Sequence, residues 1–165
     1  MSVTELLEYA VKSLGSKMKS ERDLRQRMKD RVTPDEEGRA AIEAVVIKLK
    51  NLGYLSDERF AADYTRLRQE NDKLGRRRVQ QGLMQKGIAA PVASEALGKQ
   101  YDEVDEVALA RQYIDRKRLK QPADQKETAK AMRRLLAAGF SSRAIWKVLR
   151  DWAGADLDEV DVVEE

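Results

Sequence analysis

Three groups of basic residues are the side chains whose type and spacing could do chemistry in this sequence. They are Arg76-Arg77-Arg78 with Lys73 just before them, Arg116-Lys117-Arg118 with Lys120, and Lys126, Lys130, Arg133 and Arg134. That chemistry is electrostatic. Guanidinium and ammonium groups hold phosphate or carboxylate oxygens through charge-assisted hydrogen bonds, and no covalent bond is made or broken. The chain has no histidine and no cysteine, which removes disulfides, Cys/His zinc sites, thiol nucleophiles and every His-based catalytic arrangement. It also lacks a glycine-rich phosphate loop. Asp102, Glu103, Asp105 and Glu106 could suggest a metal cluster. They read more simply as caps and charges at a helix start, where the macrodipole favours acids. No catalytic residue, metal, cofactor or small-molecule substrate is therefore expected.

The three basic groups differ in what local structure explains. Arg76, Arg77 and Arg78 follow Gly75 at the start of an expected helix. Bases there oppose the macrodipole, each at roughly 0.3–1 kcal/mol at low salt. A phosphate or an acidic partner accounts for them better than a solvated charge run. Arg116, Lys117, Arg118 and Lys120 fall at a helix C-terminus, where the dipole welcomes cations, and either reading serves. Lys126, Lys130, Arg133 and Arg134 recur at three- to four-residue spacing, so they form one basic face of a helix opposite Met132 and Leu135.

Charge is unevenly distributed along the chain. The net charge is +3, yet residues 155–165 hold six acids and no base, so the first 154 residues carry +9. A body of that sign suits a polyanionic partner. No apolar run approaches the roughly 18 residues of a membrane span, and the N-terminus has no signal-peptide pattern. A soluble cytoplasmic protein without a membrane partner is expected, acting as a monomer.

The elements that must position these cations are helical. Ser2 and Glu5 form a capping-box pattern before Leu6, Leu7, Ala10, Val11 and Leu14, with Gly15 as the expected stop. Ser20 and Asp23 open a second helix carrying Leu24 and Met28. Thr33-Pro34-Asp35-Glu36 opens a third, with Thr33 as N-cap and Ile42, Val45, Val46, Leu49 and Leu52 on one face before Gly53. Six further helices follow. Their faces are Phe60-Ala61-Tyr64-Leu67, Val79-Leu83-Met84, Val92-Ala96-Leu97, Val107-Ala110-Tyr113-Ile114, Ala129-Met132-Leu135-Leu136 and Ile145-Val148-Leu149-Trp152, with Trp146 partly core beside the last.

A repeat organises them. Leu83-Met-Gln-Lys-Gly-Ile88 with Ala93 and Leu97 recurs 52 positions later as Leu135-Leu-Ala-Ala-Gly-Phe140 with Ile145 and Leu149, while Ala61/Tyr64 and Ala110/Tyr113 are 49 apart. One helical unit cannot bury its apolar face alone and stacks on its neighbours. The expected fold is all-α, three tandem three-helix repeats at residues 1–55, 56–101 and 102–153. An acidic tail at 154–165 is expected to be disordered.

The segment Leu52-Gly-Tyr-Leu-Ser-Asp-Glu-Arg-Phe-Ala61, the Lys86-Gly87-Ile88 ending, and Gly139-Phe140-Ser-Ser142 followed by Ile145 together resemble the RecX family. The resemblance runs from about Leu14 to Trp152. It implies three tandem three-helix repeats in an elongated, curved array. It also implies a negative regulator of the RecA recombinase that lodges in the groove of the RecA nucleoprotein filament. There it would restrain ATPase, strand-exchange and co-protease activities, and so modulate recombination, DNA repair and the SOS response. Two features depart from the family: Gly82 stands where an acidic residue is usual, and the acidic tail is atypical.

The signature positions each have a structural task. Gly53, Gly87 and Gly139 end helices in the left-handed conformation. Leu55, Phe60, Ala61, Ile88 and Phe140 supply core, and Ser56 or Asp57 caps a helix. Arg59 pairs across a junction, and Tyr54 and Lys86 complete the motifs. The competing reading is a non-specific DNA-binding helical module that needs no recombinase and touches single- or double-stranded DNA through phosphates.

Overall fold

Helix-starting residues and left-handed glycines divide the chain in the structure, a computed structural model describing residues 1–153. The segment 154–165, expected to be a disordered tail, lies outside the described residues. Nine helices and no strand occur among the described residues: α1 (Val3–Ser16), α2 (Glu21–Lys29), α3 (Glu36–Asn51), α4 (Asp57–Glu70), α5 (Arg76–Gln85), α6 (Ala90–Tyr101), α7 (Glu106–Lys117), α8 (Gln125–Ala137) and α9 (Ser142–Ala153). They follow in the order of three successive three-helix repeats.

Side-chain oxygens start most of them. Ser2 and Glu5 form the complete capping box of α1, and Ser20 accepts from the Asp23 amide to start α2. Ser56, rather than Asp57, caps α4, accepting from the Arg59 amide at 3.2 Å. Two expectations need correction. The N-cap of α3 is Asp35, which accepts from the Gly38 amide at 2.8 Å, while Thr33 donates its hydroxyl to the Asp35 carboxylate. An aspartate directly before two glutamates caps more strongly than a threonine separated from the helix by proline. Gly15 does not stop α1 either. The helix passes through it to Ser16, and Lys19, only 7% exposed, donates its ammonium to the Ser13 and Lys17 carbonyls. An ammonium at the open carbonyls does what a C-cap glycine would otherwise do.

By contact density the chain divides into two units, Met1–Tyr64 with Gly82–Ala96 and Thr65–Gln81 with Leu97–Glu165. The dividing line falls inside α4, α5 and α6, so the middle trio contributes to both. In the first unit, Leu6, Ala10, Leu24, Met28, Ile42, Val45, Val46, Leu49 and Leu55 form one buried cluster between α1, α2 and α3. Gly82 belongs to this unit. A Cβ there would overlap the hydroxyl of Tyr64 and lie 3.0 Å from its ring. The glycine makes room for a tyrosine stacked on Phe60, ring centroids 5.6 Å apart.

The second unit buries Val79, Leu97, Leu109, Ala110, Tyr113, Ile114, Leu135, Phe140, Ile145, Val148 and Leu149. Tyr113 and Phe140 meet edge to face at 5.8 Å. Four residues expected on apolar faces are exposed: Val11, Leu52, Met84 and Leu136. Each adjoins a buried residue one or three positions away, at the margin of its stripe. A stripe read from spacing alone is drawn too wide where a small bundle covers only its centre.

Candidate partner-binding surface

The start of α5 is built by two glycines. Gly75 and Gly139 press backbone against backbone, so that a Cβ on Gly75 would lie 2.8 Å from the Phe140 nitrogen and one on Gly139 2.7 Å from the Gly75 oxygen. This approach lets the Gly75 amide donate to the Ala138 carbonyl at 2.8 Å and the Arg77 amide to the Gly139 carbonyl at 3.3 Å. The open donors of α5 therefore meet open acceptors at the end of α8. The negative end of one helix faces the positive end of the other. This corrects the local argument made for the arginine triplet. The carbonyls of α8 offset the repulsion that α5 alone would impose, so Arg76, Arg77 and Arg78 are compatible with the local structure.

Their individual surroundings differ. Arg76 pairs with Asp102 at 2.9 Å. Arg78 is half-buried, its Cβ against Gly139. Arg77 is exposed and has no acidic partner among the described residues. Lys73 lies in the turn that follows α4, with φ 57°, donating its amide to the Gln69 carbonyl while Leu74 donates to that of Arg68.

Arg118, directly after α7, is also left-handed. Its φ is 52°, and Leu119 donates to the Ile114 carbonyl at 3.0 Å. Lys73 and Arg118 are the non-glycine residues of positive φ among the described residues. Asp72 links the two helix ends, accepting from Arg68 at 3.0 Å and lying 3.6 Å from Arg116. The structure thus brings Lys73 and the Arg116 group together. Lys117, Arg118 and Lys120 are exposed without an acidic partner among the described residues, as are Lys126, Lys130, Arg133 and Arg134 along α8.

The family-signature residues lie mostly in the first unit and do structural work. Gly53 has φ 78° and accepts at its carbonyl from the Arg59 guanidinium at 2.7 Å. Leu55, Phe60, Ala61 and Ile88 are buried. Lys86 pairs with Asp23 at 3.1 Å beside Gly87, whose added Cβ would meet the Arg22 side chain at 2.5 Å. Gly139 and Phe140 repeat this arrangement in the second unit. Tyr54 is the exception, 58% exposed.

Sequence reasoning missed several polar ties. Asp57 accepts from the Glu21 amide at 2.9 Å, and burial pushes its carboxyl above the usual range, with the Glu21 and Glu58 carboxylates adding to the effect. Glu106 accepts from the Ser141 amide at 2.5 Å and from its hydroxyl at 3.0 Å. Asp57 and Glu106 stand at matching positions of α4 and α7, each in a cleft. One cleft, about 490 Å³, is lined by Glu21, Lys50, Leu55 and Asp57, and the other, about 300 Å³, by Arg76, Tyr101, Asp102 and Glu106. The ion pair is reversed between them. In the first cleft the helix-start residue is the acid Glu21, paired with Lys50. In the second it is the base Arg76, paired with Asp102. The Ser-Glu-Arg-Asp start of α2 set beside the Gly-Arg-Arg-Arg start of α5 carried that signal in sequence.

Among the described residues no group of three or more acids, histidines or cysteines converges as a metal site, and no helix is long and apolar enough to cross a membrane.

Tandem helical repeats with cationic faces unpaired among the described residues form a class of protein that presents extended surfaces suited to binding. Residues 56–97 match the family described as RecX, second three-helix domain. The regulatory protein RecX of Leptothrix cholodnii is 33% identical over 141 residues, covering 86% of this chain and 85% of that protein. The regulatory protein RecX of Chromobacterium violaceum is 30% identical over 151 residues, covering 91% and 95%. A crystal structure of a regulatory protein RecX superposes with TM-score 0.73 at 24% identity, over 90% of this chain and 71% of that one. The chain belongs to the RecX family.

Proposed function

We propose that this protein is a negative regulator of RecA that acts without catalysis, as a single chain in the cytoplasm. It would bind in the groove of the RecA nucleoprotein filament and restrain ATP hydrolysis, strand exchange and co-protease activity. Its repeats, residues 1–55, 56–101 and 102–153, would serve as the contact modules. The observation that supports this most, beyond family membership, is the run of exposed cations without acidic partners among the described residues: Arg77, Lys117, Arg118, Lys120, Lys126, Lys130, Arg133 and Arg134. Cations left unpaired on helices are available to acidic protein surface or phosphate at little desolvation cost.

The test is single-strand-dependent ATP hydrolysis by the cognate recombinase. The protein should suppress turnover. A variant carrying Arg77→Glu, Lys130→Glu and Arg133→Glu should need about tenfold more protein for the same effect, the scale of a few lost charge contacts. Undiminished turnover at saturating wild-type protein sinks the proposal.

The basic face of α8 also favours a second reading, non-specific DNA binding without a recombinase. That reading requires tight binding to naked DNA with a steep salt dependence. Weak binding to naked DNA beside tight binding to the filament favours the first.

A further inference from the structure

We propose that the cations closing α7 are the docking surface for this chain's own acidic segment, residues 156–165. Two ties set the relative direction of α7 and α9. At their starts, Glu106 accepts from Ser141 at 2.5 and 3.0 Å. Further along both, Arg111 donates to Asp151 at 2.5 Å. The helices therefore run in the same sense, and the chain leaves α9 at Ala153 on the side where α7 ends in Arg116, Lys117 and Arg118.

The distances agree. From Arg111 to Arg118 along α7 is about 10 Å at 1.5 Å per residue. The three residues from Ala153 to Asp156 span about the same length when extended.

Charge is complementary at this place. The segment has six acids and no base. On the receiving side Lys117, Arg118 and Lys120 are exposed and have no acidic partner among the described residues, and the last turn of α9 adds another exposed base, Arg150. Arg116 shares its one aspartate, Asp72, with Arg68. The dipole of α7 supplies only about half a negative charge, which is too little to balance this many cations.

Arg118 adds an independent observation. It holds the left-handed closing position, φ 52°, where glycine costs nothing and a side chain costs about 1 kcal/mol. Keeping a cation there against that cost fits a surface that uses the charge. Tethering favours the chain's own segment over a free acidic peptide, since a short linker gives an effective concentration of the order of millimolar. The contact would make the segment a competitor for any acidic or phosphate-bearing partner of this face. The docking itself does not depend on the filament reading, and its test uses no recombinase.

Zero-length carbodiimide coupling on the full chain, followed by peptide mass mapping, reads the contact directly. Isopeptide links should join Lys117 and Lys120 to residues 156–165 within one molecule. Their yield should fall at least about threefold between low salt and 0.5 M NaCl, as screening predicts. Arg118→Gly removes the charge and the left-handed cost together, so it folds at least as well as the parent, and it should lower the same yield. Links spread evenly over Lys126, Lys130 and Lys147, links indifferent to salt, or no links would overturn the proposal. A second readout is binding of poly-L-glutamate to a full-length variant whose six acids are changed to the corresponding amides. It should bind about three- to tenfold more tightly than the parent. Equal affinity also overturns the proposal.

Discussion

Replacing Gly139 with alanine should cost far more stability than replacing Gly53, although both glycines end a helix with positive φ. At Gly53, φ is 78° and an added Cβ meets nothing within 4 Å. The cost there is conformational only, about 1 kcal/mol. At Gly139, φ is 98°, and the Cβ would lie 2.6 Å from the Arg78 Cβ and 2.7 Å from the Gly75 oxygen. Forcing a methyl group into a closed contact adds about 1–3 kcal/mol, for a total of about 2–4 kcal/mol. Opening that contact also loosens the hydrogen bonds from Gly75 and Arg77 to the Ala138 and Gly139 carbonyls. For a chain of this size, 1 kcal/mol moves the melting temperature by about 2–4 °C. Helical circular dichroism on heating should therefore show Gly139→Ala several degrees below Gly53→Ala. If two transitions resolve, the Gly139 variant should lower the one belonging to Thr65–Gln81 with Leu97–Glu165. Equal shifts for the two variants would refute the backbone contact on which the placement of the arginine triplet rests.

Two other glycines should respond with opposite signs. Gly15 lies within α1 with nothing near its Cβ position, so Gly15→Ala should stabilise by about 0.5–1 kcal/mol in urea titration. Gly82→Ala should destabilise because the Tyr64 ring must move, and Tyr64→Phe should recover part of the loss; a stabilised Gly82→Ala would contradict the packing. Asp57 has its folded-state carboxyl pushed up by burial, so its ionised form is disfavoured in the fold. Its contribution to stability falls as pH rises from the ordinary carboxylate range through the raised folded value. Asp57→Asn keeps an oxygen for the Glu21 amide, so its stability relative to the parent should be higher at pH 7 than at pH 4. Urea midpoints at the two pH values check this, and the reverse order would count against burial as the cause.

Much of this protein was legible in its sequence because helices of this kind are written locally. The caps Ser2 and Ser20 and the left-handed stops Gly53, Gly87 and Gly139 are short-range features, and each is found in the structure as its spacing implied; of the two candidates for the α4 cap, Ser56 and Asp57, the structure selects Ser56. The recurrence of residues 83–97 as 135–149 disclosed the repeat, since equal spacing of apolar residues imposes equal packing. The basic clusters were visible as residue types, and so was the absence of histidine and cysteine.

Only the tertiary structure decided what those charges face. The arginines after Gly75 read as opposed to their helix because the carbonyls that accept its amides belong to Ala138 and Gly139, more than sixty residues away. The Asp57 tie to the Glu21 amide and the sharing of Asp72 between Arg68 and Arg116 have the same origin. Local sequence sets the helix and its own dipole. The sign of the field at a helix end depends on whichever distant backbone packs against it, and contacts at such separation leave no spacing in the chain to read.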